Sequence, residues 1–567
     1  AGIIGGQADI SHCIVWNNKN DLQNCKAVYS CVQDPLDAAG EGNKTQDPRL
    51  KENQTLFSDS IYNSYGQTIS DEKDYFGNIA SSPFLGAAST NRVYVTPEGT
   101  GSGTSWEDAY GDIERAVWQS HKGNSEIWVA AGTYYPESVI NIINSNQTIL
   151  GGFAGNEVFL SERDIQNNIT CISGDKDKDG TFAGNTALIH IDPQIIPSYP
   201  LRDITIDGFL LKDGICQTEY GTNLVAGITI SDSESVSLVN CTFENNQGPD
   251  ITNIYSSINV MDCRFIGESS PDPNLNDGYA IRSHYSYYLS IDDCLFERCA
   301  LSVNHLDSLT NSVIRNNDTY CGLEILYPNK NYYEVKNCVF ADNMKGSVKS
   351  GPYYGGPCNI INTLFINNVS ELSNPLIDVS SDDTDVTVNN CTVLNNTGVI
   401  LSGKAIFKNS IFYDNNYSFS PASASFYYCN LQSGLSDINW LEGGVLNEST
   451  FFQDGNIAAD PCFIDSADPN GADNQYWTSD DGLRLHISSP CIDAGDPNSD
   501  YSNEVLPNGG RVNIGAYGNT PLSANYRLVV SPDGNDTKAG TDSAPFATIG
   551  RAIQDSVPGT CIVLKDG

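Results

Sequence analysis

The sequence predicts an all-β fold, a parallel β-helix solenoid with short capping helices at the heads of its units. Three observations carry this. A short rung of the type Cys-x-apolar, with Asn five positions after the Cys, recurs along the chain. The steps between rungs are variable and filled with Asn, Gly, Ser and Asp. A longer segment, strand–turn–helix–strand, occurs twice.

The rung is clearest at Asn240-Cys-Thr-Phe-Glu-Asn-Asn246. Its template is met again by Cys13 to Asn18, Ser312 to Asn317, Cys338 to Asn343, Thr363 to Asn368, Cys391 to Asn396 and Ser410 to Asn415, with half-matches at Cys263 and Cys294. From Cys241 to Ser410 the steps are 22, 31, 18, 26, 25, 28 and 19 residues. One apolar strand per step, with polar loops of changing length, indicates a solenoid. Strands stacked about 4.8 Å apart place equivalent side chains one above another. Inward positions must then be small or apolar, so Cys241, Cys263, Cys294, Cys338 and Cys391 are expected as buried core thiols. Asn at the turn tolerates left-handed backbone angles and can pair its amide with the Asn of adjacent coils.

The composition agrees. There are 50 Gly, 29 Tyr and 30 Lys plus Arg but only 2 Met, which disfavours long amphipathic helices. A formal net charge of −40 repels nucleic acid and anionic membranes, and suits divalent cations. No apolar run reaches 18 residues, so no membrane-spanning helix is expected. Both ends fall inside apparent strands, as though cut from a longer protein.

The Cys-x-Phe-x-x-Asn rungs resemble the FxxN repeats of chlamydial polymorphic membrane proteins and of bacterial right-handed parallel β-helix repeat proteins. That resemblance implies a right-handed coil.

The longer duplication divides the chain. Val93 to Gly99 matches Leu528 to Gly534, and Asp112 to Val117 matches Thr548 to Ile553. Each copy reads as a head whose helix covers the open end of a solenoid. Tails match as well: Tyr29 to Gln33 with Tyr428 to Gln432, and Asn43 to Pro48 with Asn456 to Pro461. The expected order is a tail (1–90), a complete unit (91–524, head 91–135, tail 425–524) and the head of another unit (525–567). This grammar, with Asp-Pro-Cys-Phe at Asp460 and Ser-Pro-Cys-Ile-Asp-Ala-Gly at Ser489, resembles large tandem surface proteins of planctomycete-type bacteria. It implies a secreted, cell-surface location.

Candidate sites follow. Asp175, Asp177 and Asp179, before Gly180, match the first half of a DxDxDG calcium loop, whose alternation turns three oxygens toward one cation. Thr186 stands where the closing Glu would be, so the alternative is a plain acidic turn. Asp468, Asp473 and Asp480, with Asp481, form a second cluster that is either a calcium site or an Asn/Asp/Gly turn. Cys462 with Cys491, and Cys25 with Cys31, are candidate disulfides. Twelve Asn-x-Ser/Thr sequons, among them Asn43, Asn146, Asn168, Asn240 and Asn390, are candidate glycosylation sites.

Parallel β-helices include polysaccharide lyases and glycoside hydrolases, and Tyr279 to Tyr285 is the best stretch for such chemistry, with Arg282, His284, Asp292 and Asp293. It lacks the clustered basic residues a polyuronate site needs, and no catalytic residue is assigned. Tyr285, Tyr287 and Tyr288, with Tyr332 and Tyr333, are read either as a stripe for stacking on sugar rings or as cross-rung packing. Trp16, Trp106 and Trp128 read as packing residues.

The expectation is therefore a structural extracellular repeat protein of a surface layer, filament or adhesin. Its suspected cofactor is calcium. Its partners are copies of itself, neighbouring units and surface glycans, with no nucleic acid. The alternative is a carbohydrate-active enzyme or glycan-binding module on the same fold.

Overall fold

The structure is a computed structural model. It describes residues 91–120, 125–178, 187–193, 200–215, 226–267, 278–318, 320–326, 333–350, 358–371, 374–379, 386–402, 405–419, 424–432, 439–440, 455–505, 510–523, 527–538, 540, 544–556 and 561–565, and six short strands before residue 33. The fold is a right-handed parallel β-helix. The chain divides into two compact units, Ala1–Gln247 and Gly248–Gly567. The division falls inside the 91–524 stretch.

In the first unit, Ile3–Ile4, Asp9–Ser11 and Ile14–Val15 pair in parallel with Leu22–Gln23, Lys26–Val28 and Cys31–Val32. From residue 91 onward the strands form three parallel sheets. The first holds Ile140–Ile142, Ile189–Ile191 and Ile228–Ser231. The second runs from Asn91–Val95 through Ser125–Ala130, Gln147–Phe153 and Ile204–Asp207 to Val236–Val239. The third holds Gly132–Tyr134, Thr170–Ser173, Phe209–Lys212 and Thr242–Glu244. Period-two alternation points one residue in two inward. Ile127, Ile149, Ile206 and Leu238 thus stack in register as one buried column.

Helix α1 (Ile113–Gln119) buries Ile113, Ala116 and Val117 and packs against the strands Asn91–Val95, Ser125–Ala130 and Ile140–Ile142. The Asp112 carboxylate caps it, accepting the Arg115 N–H at 2.7 Å. At its other end the buried Gln147 amide donates to Val117 O at 3.0 Å, a carbonyl that otherwise accepts only the Ser120 N–H of the C-cap, at 3.3 Å. Trp128 stacks on Phe153 at 4.4 Å, and Trp106 lies 5.8 Å from Phe153. Both tryptophans are packing residues, as expected; Trp16 lies outside the described residues.

The second unit continues the same coil form. Its inward columns are long. One runs Phe265, Phe296, Ile314, Phe340, Phe365, Val393, Phe412, Leu431 in strict parallel register. Phe265 and Phe296 stack at 4.8 Å, and Phe340 and Phe365 at 5.3 Å. The five rung cysteines are buried. Burial pushes the Cys338 and Cys429 thiols up to about 12, so they behave as small apolar groups.

The rung asparagines divide two tasks between adjacent positions. The residue before the ladder Asn takes the left-handed conformation: Asn316, Asp342, Asn367, Asn395 and Asp414 have φ of 50 to 61°. A second left-handed corner precedes each rung, at Asn311, Asn337, Asn362, Asn390 and Asn409. The next Asn points inward and bonds to its equivalent one coil on. Asn317, Asn343, Asn368, Asn396 and Asn415 form a continuous ladder with Nδ2–Oδ1 distances of 3.1, 3.0, 2.9 and 3.0 Å.

The tail leaves the coil. Ile457 still bridges Asn430 in parallel, and beyond it the chain turns back so that Leu483 and residues 513–518 lie against the outer face of the third sheet. Asn362 Nδ2 donates to Ala516 O and Gly518 O, both at 2.7 Å, and Asn390 Nδ2 to Asn513 O at 2.9 Å. Gly515 N–H donates to Asn409 O at 2.8 Å. Where the tail lies, the outward side chains change character. Earlier strands carry Arg264, Glu297 and Arg315 outward; Val339–Ala341, Leu364–Ile366 and Thr392–Leu394 are buried on both faces. Val339, Ala341, Leu364, Ile366 and Leu394 pack against Leu483, Ala516 and Tyr517.

The second head repeats the first in atomic detail. Thr96 N–H donates to Tyr110 O and Ser531 N–H to Phe546 O, both at 2.9 Å. Helix α2 (Ile549–Asp555) is capped by Thr548, as α1 is by Asp112. Gly103 and Gly540 both have positive φ, and a Cβ on either would strike the ring of Tyr110 or Phe546. The second head packs on the tail through Ile487, against Leu528, Val530, Phe546 and Ala552.

Candidate functional site

Asp175 and Asp177 lie in a tight turn after Thr170–Ser173, in which Lys178 N–H donates to Asp175 O at 3.3 Å. Asp179 and Gly180 lie outside the described residues. The alternating lysines, rather than the aspartates, line a cleft of about 370 Å³ beside the start of α1, shared with Asp112, Glu114, Tyr135 and Glu137. Lys176 Nζ donates to Glu137 O at 2.7 Å, and Lys178 Nζ sits 4.5 Å from the Tyr135 ring centre. Burial raises the Glu114 carboxyl above the ordinary range.

The second acidic cluster is a set of turns, not a cation cage. Asp480 accepts the Thr478 hydroxyl at 2.7 Å and the Asp473 N–H at 3.2 Å. Asp468 offers its backbone carbonyl to the Gly471 N–H. Asp481 is buried and accepts Tyr517 Oη at 2.6 Å and Trp477 N–H at 2.7 Å. Asp473 and Asp480 are thus neighbours, but among the described residues no group of three or more His, Cys, Asp or Glu is arranged to hold a metal.

Cys462 and Cys491 are both free, and the expected bridge between them is not formed. Cys491 is buried with Ile411, Leu485 and Ile514, and its Sγ accepts Asn430 Nδ2 at 3.0 Å. Cys462 sits at a left-handed turn and donates its N–H to Asp460 Oδ1. The Cys25 and Cys31 side chains lie outside the described residues. So does the sequon at Asn43. Asn146 and Asn168 are partly exposed. Asn390 is buried with its amide bound beneath the tail, a position closed to a glycan in this fold.

The stretch best suited to catalysis is divided between sheets. Arg282 and His284 lie in Tyr279–His284 of the first sheet, whereas Asp292 ends Tyr288–Asp292 of the second. Asp292 accepts Thr310 Oγ1 at 2.5 Å and Asn311 Nδ2 at 2.7 Å, so its carboxylate serves the next coil. Burial and the neighbouring Arg282 hold the His284 imidazole below its ordinary value, in the neutral form. Asp293 is a left-handed corner.

The tyrosines separate. Tyr333 is core, and Tyr332 lies outside the described residues. Tyr285, Tyr287 and Tyr288 are exposed, and a tyrosine not singled out from the sequence, Tyr255, stacks on Tyr285 at 5.1 Å and 9°. The signal was present: Ile251-Thr-Asn-Ile-Tyr255 and Ile281-Arg-Ser-His-Tyr285 are one coil apart in register.

A last feature is the uncovered side of the second head. Ile113 is 2% exposed and its counterpart Ile549 is 48% exposed; Val117 is 1% exposed and its counterpart Ile553 is 59% exposed. The first head has the strand Ile140–Ile142 over these positions.

No protein-family model matches the chain, and no curated protein matches it. Solved structures do. Pectate lyase Pel9A is 15% identical, with 76% of this chain and 96% of that chain covered and a TM-score of 0.41. PfbA, a surface adhesin of Streptococcus pneumoniae, is 15% identical, with 56% and 86% covered and a TM-score of 0.31. A family 28 exopolygalacturonase of Yersinia enterocolitica is 12% identical, with 68% and 82% covered and a TM-score of 0.31. These are likenesses of fold. No helix among the described residues is long and apolar enough to cross a membrane.

Proposed function

We propose that this protein is a structural extracellular repeat protein, part of a surface layer, fibre or adhesin, whose β-helix units dock head to tail. The observation that carries the reading is the second head. It repeats the hydrogen bonds and the helix cap of the first head and rests on the preceding tail through Ile487, which packs with Leu528, Val530, Phe546 and Ala552. FxxN-type repeat membership, calcium at Asp175, Asp177 and Asp179, and glycans at Asn146 and Asn168 belong to the same proposal.

The test is electron microscopy of the purified chain and of an Ile487→Asp variant. A second head held against the tail in the wild type and detached in the variant is the expected result. A second head detached in both would remove the reading.

A further inference from the structure

We propose that the corner carrying Tyr255, Tyr285, Tyr287 and Tyr288 is a binding platform for a neutral polysaccharide. The inference stands on backbone and ring geometry in the second unit and is independent of head-to-tail docking.

The first observation is conformational. Tyr255 and Tyr285 have φ of 49° and 55°. Of the 28 described non-glycine residues with positive φ, 21 are Asn or Asp, whose short side chains tolerate the left-handed region; besides these two tyrosines only Tyr428 and Trp477 put a bulky ring there. A third tyrosine, Tyr428, shares the conformation at φ 53°, but its ring is used within the fold. The guanidinium of Arg511 lies 5.4 Å from its centre, and Gly455 approaches so closely that a Cβ there would strike the ring. Tyr255 and Tyr285 instead stack on each other at one coil's spacing, with Tyr255 42% exposed, Tyr285 64% exposed and Tyr287, two residues on, 66% exposed. Strain held by a ring pair that keeps its outer faces in solvent points to use from outside.

The second observation is the chemistry beside the rings. The positions next to Tyr288 on the outward face are short and uncharged, Ser257 and Asn259 on one coil and Ser290 and Ser308 on the following two, while Asp292 and Glu334 bound this polar strip. Ser290 and Ser308 share a hydroxyl–hydroxyl hydrogen bond of 2.8 Å. Aromatic faces take the apolar C–H side of a sugar ring, and hydroxyls and amides take its O–H groups. A chain of net charge −40 repels acidic polymers, so the fitting ligand is uncharged.

The test uses affinity electrophoresis of the whole chain in gels containing soluble β-glucan, mannan or polygalacturonate, with melting temperatures alongside. The wild type is expected to be retarded by a neutral polymer and not by polygalacturonate. Tyr285→Asn supplies the residue this corner favours, so it should melt at or above the wild-type temperature while losing at least tenfold in affinity. Tyr285→Phe should keep most of the binding. Tyr428→Asn should lower the melting temperature and leave binding intact. Retardation by no neutral polymer, preference for polygalacturonate, or an unaltered affinity in Tyr285→Asn would overturn the proposal.

Discussion

Asn368 sits at the centre of the asparagine ladder, fully buried, and replacing it by Ala should be among the costliest polar substitutions in the chain. Its Oδ1 accepts the backbone N–H of Asn343 at 3.1 Å and the Asn343 amide at 3.0 Å. Its Nδ2 donates to Phe340 O at 2.8 Å and to Asn396 Oδ1 at 2.9 Å. The neighbours do not lose equally. The Asn343 amide keeps Ile314 O, and Asn396 Oδ1 keeps the Asn368 N–H. The Asn343 N–H has no such second acceptor. An orphaned buried N–H costs about 1–3 kcal/mol, and each lost bond about 1 kcal/mol net, so Asn368→Ala should cost about 3–5 kcal/mol. The control is Asn367→Gly, which sits at φ 56°, gives up two exposed bonds, one to Asp342 and one from Asn395, and needs no Cβ there. It should cost under about 1 kcal/mol. Urea unfolding gives the difference, and hydrogen exchange at the Asn343 amide locates it, because a solenoid need not unfold in one step. If Asn368→Ala lost less than about 1 kcal/mol, the ladder would be a by-product of corner geometry and not a source of stability.

Burial raises the Glu504 carboxyl to about 7, while its Oε1 accepts the Asn513 and Asn519 N–H groups of the tail. Its contribution is therefore complete below the unfolded value near 4.5 and is lost as pH rises through about 7. Glu504→Gln should keep both acceptor bonds and remove about 3 kcal/mol of pH dependence in denaturant titrations between pH 4 and 8; an unchanged slope would contradict this. In the native protein a thiol reagent should label Cys462 well before Cys338, Cys391 or Cys429, which should react only on unfolding; early labelling of the buried set would show that the core opens locally. If the turn at Asp175 and Asp177 binds calcium, a chelator should lower the melting temperature of the wild type and not of Asp177→Asn, as read by calorimetry.

What was legible in the sequence was what repeats. The rung places the same side-chain type at the same inward position on every coil, so Cys338, Phe340 and Asn343 announce Thr363, Phe365 and Asn368. The paired asparagines at 316–317, 367–368 and 395–396 also held the split between a left-handed corner and a ladder rung, although one position alone was read for both tasks. The tail was not legible because its partners are remote. Gly515 meets Asn409 and Ala516 meets Thr392, and no local pattern encodes such pairings. A trace existed in the outward Val339, Ala341, Leu364 and Ile366, where a one-faced strand would carry polar groups. At the acidic turn the lining of the cleft was not legible for a simpler reason. Lys176 and Lys178 share the alternation of the aspartates, and periodicity does not say which set of a tight turn faces a cleft. The tyrosine platform was half visible, because Tyr255 gains meaning only beside Tyr285 in the next coil.

The folded-back tail has a mechanical consequence. A bare solenoid under tension peels coil by coil, each coil yielding once its neighbour has gone. Here residues 513–518 are bonded to Asn362, Asn390 and Asn409, which lie on successive coils. A pull transmitted through the tail loads these bonds side by side, as rivets along a seam. Those coils should hold to a higher force and then release together. A single-molecule extension trace should show one large step for this region, and a staircase of small ones would mean the seam bears no load.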